Sequence, residues 1–333
     1  MLKKIALTGD RPTGCLHLGH YIGTLQSRVQ LQHEFDQYVM VADVQALTDY
    51  FANPSKIVDS LFEVVADYVS VGIDPELTTI FVQSEISALP ELSMYYMNLV
   101  TTARLERNPT VKTELQQKNF GGEGIPAGFL CYPISQAADI TAFKAEVIPV
   151  GEDQLPLIEQ CNEIVRKFNR LYNTNCLKEA KPHLSKTARL VGIDGKAKAS
   201  KSLNNAIFLS DPADVVKQKV YSMFTDPDHI KISDPGKVEG NVVFAYLDAF
   251  YHDKEEIESL KQQYRKGGLG DTALKSLLNE TLQNLLAPIR EKRENLNRDY
   301  LREVIFEGSK KANAIANETL REVKNAIGLN FFR

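Results

Sequence analysis

Two short segments of this chain carry residue types suited to binding phosphate. The first, His17-Leu18-Gly19-His20, places two imidazoles and a glycine shortly after an apolar run and before a helix-like segment. The second, Lys198-Ala199-Ser200-Lys201-Ser202, holds two lysines and two hydroxyls among small residues. A helix N-terminus offers free N–H groups to an anion, and lysines neutralise phosphate charge. Together the segments predict a nucleotide site whose two halves are joined by folding.

Each segment also has an ordinary explanation. Paired histidines are common near surface turns, and a short pattern of this kind is weak evidence alone. Lys196, Lys198 and Lys201 would also suit a solvated basic loop. The nucleotide interpretation is favoured because the histidines lie between a strand-like and a helix-like run, and because alanines and serines surround the lysines.

The first half of the chain alternates short apolar runs with amphipathic segments. We predict strands at about 4–7, 38–42, 79–82 and 147–150, and helices at about 19–33, 57–69 and 153–169. Such alternation predicts a parallel sheet covered by helices on both faces. Ligands of such sheets bind at the carboxyl ends of the strands.

The pattern changes from about residue 206, where leucines recur at helical spacing and strand-like runs end. We therefore predict an α/β fold with a Rossmann-like parallel-sheet domain over 1–205, which includes the lysine-rich segment, and an all-helical domain over 206–333. The glycines and small residues of 191–199 indicate a mobile connection.

Composition narrows the class of protein. The 333 residues are 43% hydrophobic and 25% charged, which is typical of a soluble globular protein. The net charge of −4 gives no support to nucleic-acid binding, so any RNA contact would need local basic patches. Four scattered cysteines form no CxxC pair and indicate reduced thiols in a cytosolic protein. No apolar run is long enough to span a bilayer, and the N-terminus is typical of a strand and turn, not of a signal peptide.

The two phosphate-binding segments resemble the HIGH and KMSKS signatures of the class I aminoacyl-tRNA synthetases. Leu18 replaces the usual isoleucine and Ala199 the usual methionine. Three further segments, 105–112, 132–139 and 149–154, resemble segments of the bacterial-type tryptophanyl-tRNA synthetases. The resemblance covers nearly the whole chain.

The resemblance implies roles for individual residues. Those implied to act on the phosphates in catalysis are His17, His20, Lys112, Lys198 and Lys201. Those implied to bind ATP are Arg11, Pro12, Thr13, Gly19, His20, Gly151, Glu152, Asp153, Leu190, Lys198, Ala199, Ser200, Lys201 and Ser202. Those implied to bind tryptophan are Tyr132, Gln136, Asp139, Ile148, Val150 and Gln154. Asp139 would accept a hydrogen bond from the indole N–H, which is only a donor. No residue is expected to be a dedicated metal ligand.

The resemblance implies that ATP activates L-tryptophan, with Mg²⁺ accompanying the triphosphate, before transfer to tRNA(Trp). It also implies a homodimer in the cytoplasm, without membrane association, whose helical domain reads the anticodon.

Three alternatives stay open. Tyrosine is the first, because Gln136 and Asp139 resemble the Gln-x-x-Asp pair of the tyrosyl enzymes, and a phenol O–H donates as an indole N–H does. A small nucleotidyltransferase shares the first motif but would not need the helical domain. A non-catalytic, RNA-binding relative of the synthetases would be expected to lack phosphate-binding residues.

Overall fold

The computed structural model describes residues 3–118, 120, 124–184, 190–201 and 203–331. Its strands are β1 Ile5–Asp10, β2 Asp36–Val41, β3 Thr78–Val82, β4 Val147–Val150 and β5 Lys181–Leu184. They form one parallel sheet in the order β3-β2-β1-β4-β5. The predicted parallel α/β sheet is thereby confirmed, and the strand order reverses between β1 and β4.

Helices surround the sheet and form the later part of the chain. In chain order they are α1 Leu18–His20, α2 Gln26–Glu34, α3 Asp43–Tyr50, α4 Ser55–Ser70, α5 Ala88–Met97, α6 Thr102–Glu106, α7 Pro109–Gln117, α8 Ala127–Ala142, α9 Leu155–Leu171, α10 Ala213–Tyr221, α11 Val242–Phe250, α12 Lys254–Lys266, α13 Asp271–Glu294 and α14 Arg298–Ile327. A π-helical turn, Tyr21–Leu25, joins α1 to α2. The three helices predicted in the first half are confirmed.

The sequence analysis missed β5, and the reason is physical. All four residues of this strand are exposed, so it has neither an apolar run nor an alternating pattern. β5 is an edge strand, where Pro182 is tolerated because one side of the strand needs no hydrogen-bond partner. Its place in the sheet comes from pairing with β4.

The inner strands are buried on both faces of the sheet. Successive side chains of β2 alternate between two apolar clusters: Tyr38 and Met40 pack on one face, while Val39 and Val41 pack on the other. This double burial explains why the strand is a continuous apolar run and not an alternation.

The later helices pack directly on the sheet domain. Among the described residues from 203 to 331 there are five helices and no named strand. α13 packs against α4, and α14 packs on β3, α5 and α8. The short segment 206–209 runs antiparallel to 16–18, where the backbone N–H of Leu18 donates to the carbonyl of Ile207 at 2.9 Å.

The helix α14 covers the free side of the edge strand β3. The hydroxyl of Ser309 accepts a hydrogen bond from the backbone N–H of Val82 at 3.1 Å. Gly308 lies so close to β3 that a Cβ there would fall 1.8 Å from the carbonyl oxygen of Ile80. The unpaired edge of the sheet is therefore covered by a helix and not left open to another chain.

We predict that Gly308→Ala lowers the free energy of unfolding by about 1–3 kcal/mol, because the added methyl group must displace backbone on one side. Gly128→Ala is the matched control: Gly128 is also helical, and its added Cβ would contact nothing within 4 Å. That variant should be as stable as the original chain or up to about 1 kcal/mol more stable. Urea unfolding of both variants measures the difference, and equal stability would contradict the close packing of α14 on β3.

Candidate active site

Two adjoining cavities open at the carboxyl ends of β1 and β4, where the strand order reverses. The inner cavity has a volume of about 380 Å³ and lies against β1, β4 and α8. The outer cleft, of about 1530 Å³, extends over the N-terminus of α1 and the lysine-rich segment. Asp10, Arg11, His20 and Lys201 line both. Ligands in the two cavities would therefore meet at this boundary.

The structure brings together most of the residues that the sequence analysis selected. All six residues predicted to bind tryptophan line the inner cavity. Those predicted for ATP that line the outer cleft are Arg11, Thr13, Gly19, His20, Gly151, Glu152, Asp153, Leu190, Lys198, Ala199, Ser200 and Lys201. His17 lines it as well.

Three selected residues are not part of these linings as described. Lys112 is exposed on α7 and lines neither cavity. Pro12 is buried within the turn that follows β1. Ser202 lies outside the described residues.

The two histidines cap the helix that they begin. The Nδ1 atom of His17 accepts a hydrogen bond from the backbone N–H of Gly19 at 3.0 Å, and Nδ1 of His20 accepts from the backbone N–H of His17 at 3.2 Å. A ring nitrogen that accepts carries no proton, so each neutral ring has its proton on Nε2. Both Nε2–H groups can then donate to an anion in the cleft.

Gly19 is needed for this cap. A Cβ at this position would lie 2.8 Å from Cε1 and 2.9 Å from Nδ1 of His17. The sequence analysis placed Gly19 among the residues implied to bind ATP, and the structure adds a nearer reason for a glycine here, which is space for the His17 ring.

Both histidines are uncharged at neutral pH. Burial, together with the neighbouring ring, lowers the pKa of His17 to about 2, and burial lowers the pKa of His20 to about 4. Lys201 adds to both shifts by its positive charge. The positive charge offered to an anion at this site therefore comes from the lysines and Arg11, while the histidines contribute neutral donors.

The lysine-rich segment forms a turn fixed at both ends. Val191 pairs with Lys198 in an antiparallel bridge, and the backbone N–H of Ala199 donates to the carbonyl of Leu190 at 3.0 Å. Asn205, which the sequence analysis missed, is buried and accepts a hydrogen bond from the backbone N–H of Ser200 at 2.9 Å. Backbone hydrogen bonds therefore join the two ends of segment 191–199, which the sequence analysis predicted to be a mobile connection.

The two lysines of this turn differ in setting. Lys198 is exposed at the cleft, whereas Lys201 is partly buried and donates from Nζ to the carbonyl of Gly14 at 2.6 Å. Burial lowers the pKa of Lys201. The bond to Gly14 ties the second motif to the turn that precedes the first.

A buried ion pair lies at the boundary between the cavities. Asp10, at the end of β1, accepts hydrogen bonds from Arg28 and from the hydroxyl of Tyr68 at 2.7 Å. Burial alone would raise the pKa of Asp10, but Arg28, His20 and the Tyr68 hydroxyl together outweigh burial and hold that pKa well below its usual range. The sequence analysis missed this pair because its first predicted strand ended at about residue 7, whereas β1 continues to Asp10 at the edge where ligands bind.

A second buried carboxylate connects the first motif to the helical part of the chain. Asp67 accepts from the backbone N–H of Leu16 at 2.7 Å and pairs with Arg293 of α13 at 2.7 Å. Burial raises the pKa of Asp67 to about 6, although Arg293 opposes the shift. Asp67, whose charge is balanced by Arg293 of α13, therefore holds Leu16, the residue before His17.

Asp139 lies at the bottom of the inner cavity. It is 2% exposed, and both of its carboxylate oxygens accept from the side-chain amide of Gln83, at 2.9 and 3.0 Å. Burial raises the pKa of Asp139 to about 7, while the Gln83 amide acts in the opposite direction. The cavity thus combines apolar lining residues such as Ile148 and Val150 with polar ones, and Asp139 offers it a buried hydrogen-bond acceptor, a setting suited to an aromatic ligand that carries a donor.

The described residues include neither a metal-binding cluster nor a membrane-spanning helix. No group of three or more His, Cys, Asp or Glu side chains could hold a metal ion among them. Of the helices described, none is long and apolar enough to cross a membrane.

Comparison with known proteins defines the family. A family model described as tRNA synthetases class I (W and Y) matches residues 3–287. The chain belongs to this family of class I tRNA synthetases.

Two relatives within the family are named for one amino acid, tryptophan. The tryptophan--tRNA ligase of Clostridium longisporum is 58% identical over 338 residues, which span 100% of this chain and 99% of the relative. The tryptophan--tRNA ligase of Streptococcus pyogenes serotype M3 is 57% identical over 341 residues and all of both chains. The crystal structure of tryptophanyl-tRNA synthetase from Campylobacter jejuni, complexed with ADP and tryptophan, has a TM-score of 0.85 at 29% identity and covers 98% of this chain and 100% of that one.

We predict that His17 and His20 both remain neutral Nε2–H tautomers between pH 5 and 8, because burial lowers both pKa values below that range. Imidazole nitrogen chemical shifts in a 15N NMR titration measure both tautomer and charge. The same chain in denaturant is the control, since its histidines should titrate near the ordinary value of about 6.5. Protonation of either ring near pH 6.5 in the folded protein would contradict the cap.

Proposed function

We propose that the chain is a tryptophan--tRNA ligase, which activates L-tryptophan with ATP and transfers it to the 3′ end of tRNA(Trp). The observation that carries this proposal is the junction of two cavities. One holds the residues predicted for tryptophan, the other those predicted for ATP, and both include His20 and Lys201. The relatives at 57–58% identity over the whole chain support the same activity.

In this proposal the amino acid occupies the inner cavity. Asp139 accepts the indole N–H, while Ile148 and Val150 of β4 form a wall for the ring. Tyr132 and Gln154, which line the same cavity, bind the amino group. The substrate carboxylate then points to the boundary with the outer cleft.

ATP occupies the outer cleft. Gly151, Glu152 and Asp153 hold the ribose, and Leu190 borders the adenine. The phosphates lie against the Nε2–H groups of His17 and His20 and the ammonium groups of Lys198 and Lys201. Arg11, Pro12 and Thr13 form the turn beside the nucleotide. Lys112 would join this set only if α7 approached the cleft.

The reaction needs no protein nucleophile. An oxygen of the tryptophan carboxylate attacks the α-phosphorus of ATP, the bond to the β-phosphate breaks, and pyrophosphate leaves with the electron pair. The terminal ribose hydroxyl of the tRNA then attacks the carbonyl carbon of tryptophanyl-adenylate, loses its proton and displaces AMP. The chain contributes position and charge stabilisation, mainly through Lys198, Lys201 and the two neutral imidazoles.

Mg²⁺ accompanies ATP in this proposal. The groups that face the phosphates are chiefly N–H donors, which suit phosphate oxygens and not a metal ion. The metal is therefore held mainly by the triphosphate and water, as is usual for Mg²⁺. When bound, it neutralises part of the phosphate charge.

The macromolecular partners are tRNA(Trp) and a second copy of the chain, in the cytoplasm. The helical domain over 206–333 is the proposed anticodon-binding part. α5 supports a homodimer because Met94 and Met97, three residues apart on one face, are exposed apolar side chains that an interface would bury.

Tyrosine is the second candidate substrate, and one observation favours it. Gln136 lines the inner cavity one helical turn before Asp139 on α8, so an amide and a carboxylate both face the amino-acid site. A phenol hydroxyl, which donates and accepts, could bond to both.

We predict amino-acid-dependent ATP–pyrophosphate exchange with tryptophan, and exchange with tyrosine that is weaker by at least about 100-fold in kcat/KM. Each amino acid is tested separately, with a reaction lacking amino acid as the control. Exchange with tyrosine alone would replace the proposed substrate. Exchange with neither would favour the non-catalytic alternative.

We also predict that Lys201→Ala lowers kcat for exchange about 100-fold while the dissociation constant for tryptophan is unchanged, because the lysine acts on charge that develops on the phosphates. Lys198→Ala should change kcat in the same direction. Lys196→Ala is the matched control, since Lys196 is exposed in the same turn and lines neither cavity. An equal loss of tryptophan binding in Lys201→Ala would contradict the role on pyrophosphate.

A further inference from the structure

Gln83 lies behind the inner cavity at the carboxyl end of the edge strand β3. It begins a single 3₁₀ turn, Gln83–Glu85, and is 4% exposed. It is not among the residues lining the cavity, and the sequence analysis did not select it. Its side-chain amide nevertheless donates to both carboxylate oxygens of Asp139, which are the hydrogen bonds to that carboxylate among the described residues.

Both ends of the Gln83 amide are engaged, which determines its orientation. The Oε1 atom accepts a hydrogen bond from the backbone N–H of Gln45 at 3.0 Å, in the first turn of α3. That N–H can only donate, so oxygen must face it and the NH₂ group must face Asp139. The NH₂ group donates to Oδ1 at 2.9 Å and to Oδ2 at 3.0 Å.

We infer that Gln83 is the positioning residue for Asp139: its amide holds the carboxylate in one orientation, as an ionised acceptor for the indole N–H of tryptophan. This inference rests on the proposed function and adds a residue to it. Gln83 touches Asp139 and not the amino acid, so it acts through the acid.

The geometry explains why such a residue is needed. The terminal torsion of an aspartate is broad, so a carboxylate with no partner can rotate and lose a directed hydrogen bond. An NH₂ group that faces both oxygens restrains that rotation and leaves the other lone pairs for the ligand. A buried carboxylate also favours its neutral form, and a donor that binds the charged form opposes this tendency.

Other ionisable groups near Asp139 do not replace this donor. Cys161 of α9 is buried beside it and, because burial and then Asp139 raise its pKa to about 12, stays neutral. The ionisable groups that line the same cavity are Asp10, Arg11, His20, Arg28, Glu114, Tyr132 and Lys201. No ion pair joins any of them to Asp139 among the described residues, whereas Arg11 pairs with Asp49 and Arg28 with Asp10.

The turn that carries Gln83 is itself held from two sides. The backbone N–H of Ser84 donates to Oδ1 of Asp43 at 3.0 Å, at the start of α3. The residue before Gln83, Val82, donates to Ser309 of α14. The amide is therefore presented to Asp139 by a fixed backbone.

The test compares two variants of Gln83 in the full chain, by tryptophan-dependent ATP–pyrophosphate exchange across pH 6–9. Gln83→Leu should raise KM for tryptophan about tenfold, the loss expected for a hydrogen bond to a charged group, with KM for ATP and kcat unchanged. Without the amide donor the pKa of Asp139 rises further. KM for tryptophan in the variant should therefore keep falling up to pH 9, while that of the original chain levels off above about pH 8.

Gln83→Glu should show the opposite pH dependence. A protonated glutamate can donate to Asp139, whereas two ionised carboxylates repel each other. This variant should bind tryptophan nearly as well as the original chain at pH 6 and lose binding as pH rises. Because glutamate is close to glutamine in shape, it also provides the test if Gln83→Leu does not fold.

Thr141→Val is the matched structural control. Thr141 is buried on α8 two residues from Asp139 and shares a 2.8 Å hydrogen bond with Tyr96, but it does not line the cavity. It should lower thermal stability without changing KM for tryptophan, and Asp139→Asn gives the effect of altering the acid itself.

The outcomes distinguish a failure of the inference about Gln83 from a failure of the proposed function. Unchanged KM for tryptophan and an unchanged pH profile in both Gln83 variants would overturn the inference, as would a parallel rise of KM for ATP, which indicates a purely structural role. Absence of tryptophan-dependent exchange in the original chain would overturn the proposed function instead.

Discussion

The covered edge of the sheet is the constraint on which much of the structure depends. β3 has a strand neighbour on one side only, and α14 closes the other through the Ser309 hydroxyl and the close approach of Gly308. Ser309 of α14 thereby accepts a hydrogen bond from Val82, the last residue of β3. The strand in turn presents Gln83 to Asp139, so the bottom of the inner cavity rests on a contact made more than two hundred residues later in the chain.

The nucleotide side depends on neutral donors supported by charged groups. The caps of α1 place both imidazole protons on Nε2, and burial keeps the rings uncharged. Lys201 supplies charge and joins the two motifs by donating to Gly14. Beneath them, Asp67 accepts from the backbone N–H of Leu16 and is paired with Arg293. The first motif is thus held by the sheet domain and by α13 together.

Elements with a strong local sequence pattern were predicted correctly. Elements and residues whose role depends on contacts with distant parts of the chain were not. The strands β1 to β4 are apolar runs because both faces of the sheet are covered, and such runs are visible in the chain. β5 is exposed throughout and owes its place to β4, so no local pattern marks it. Gln83 and Asn205 are single polar residues whose importance lies in Asp139 and Ser200. Lys112 illustrates the reverse: the motif is present, but the side chain lies outside both cavities.

The sequence by itself determined the α/β class and the two phosphate-binding motifs, because these depend on composition and on spacing along a helix or strand, while its resemblance to the synthetases implied the residues of the amino-acid site. Only the tertiary structure decided which proton each histidine carries, which lysine is partly buried and which amide restrains Asp139. Those properties arise from burial and from contacts with residues distant in the chain. Neither can be inferred from the spacing of residues within one helix or strand.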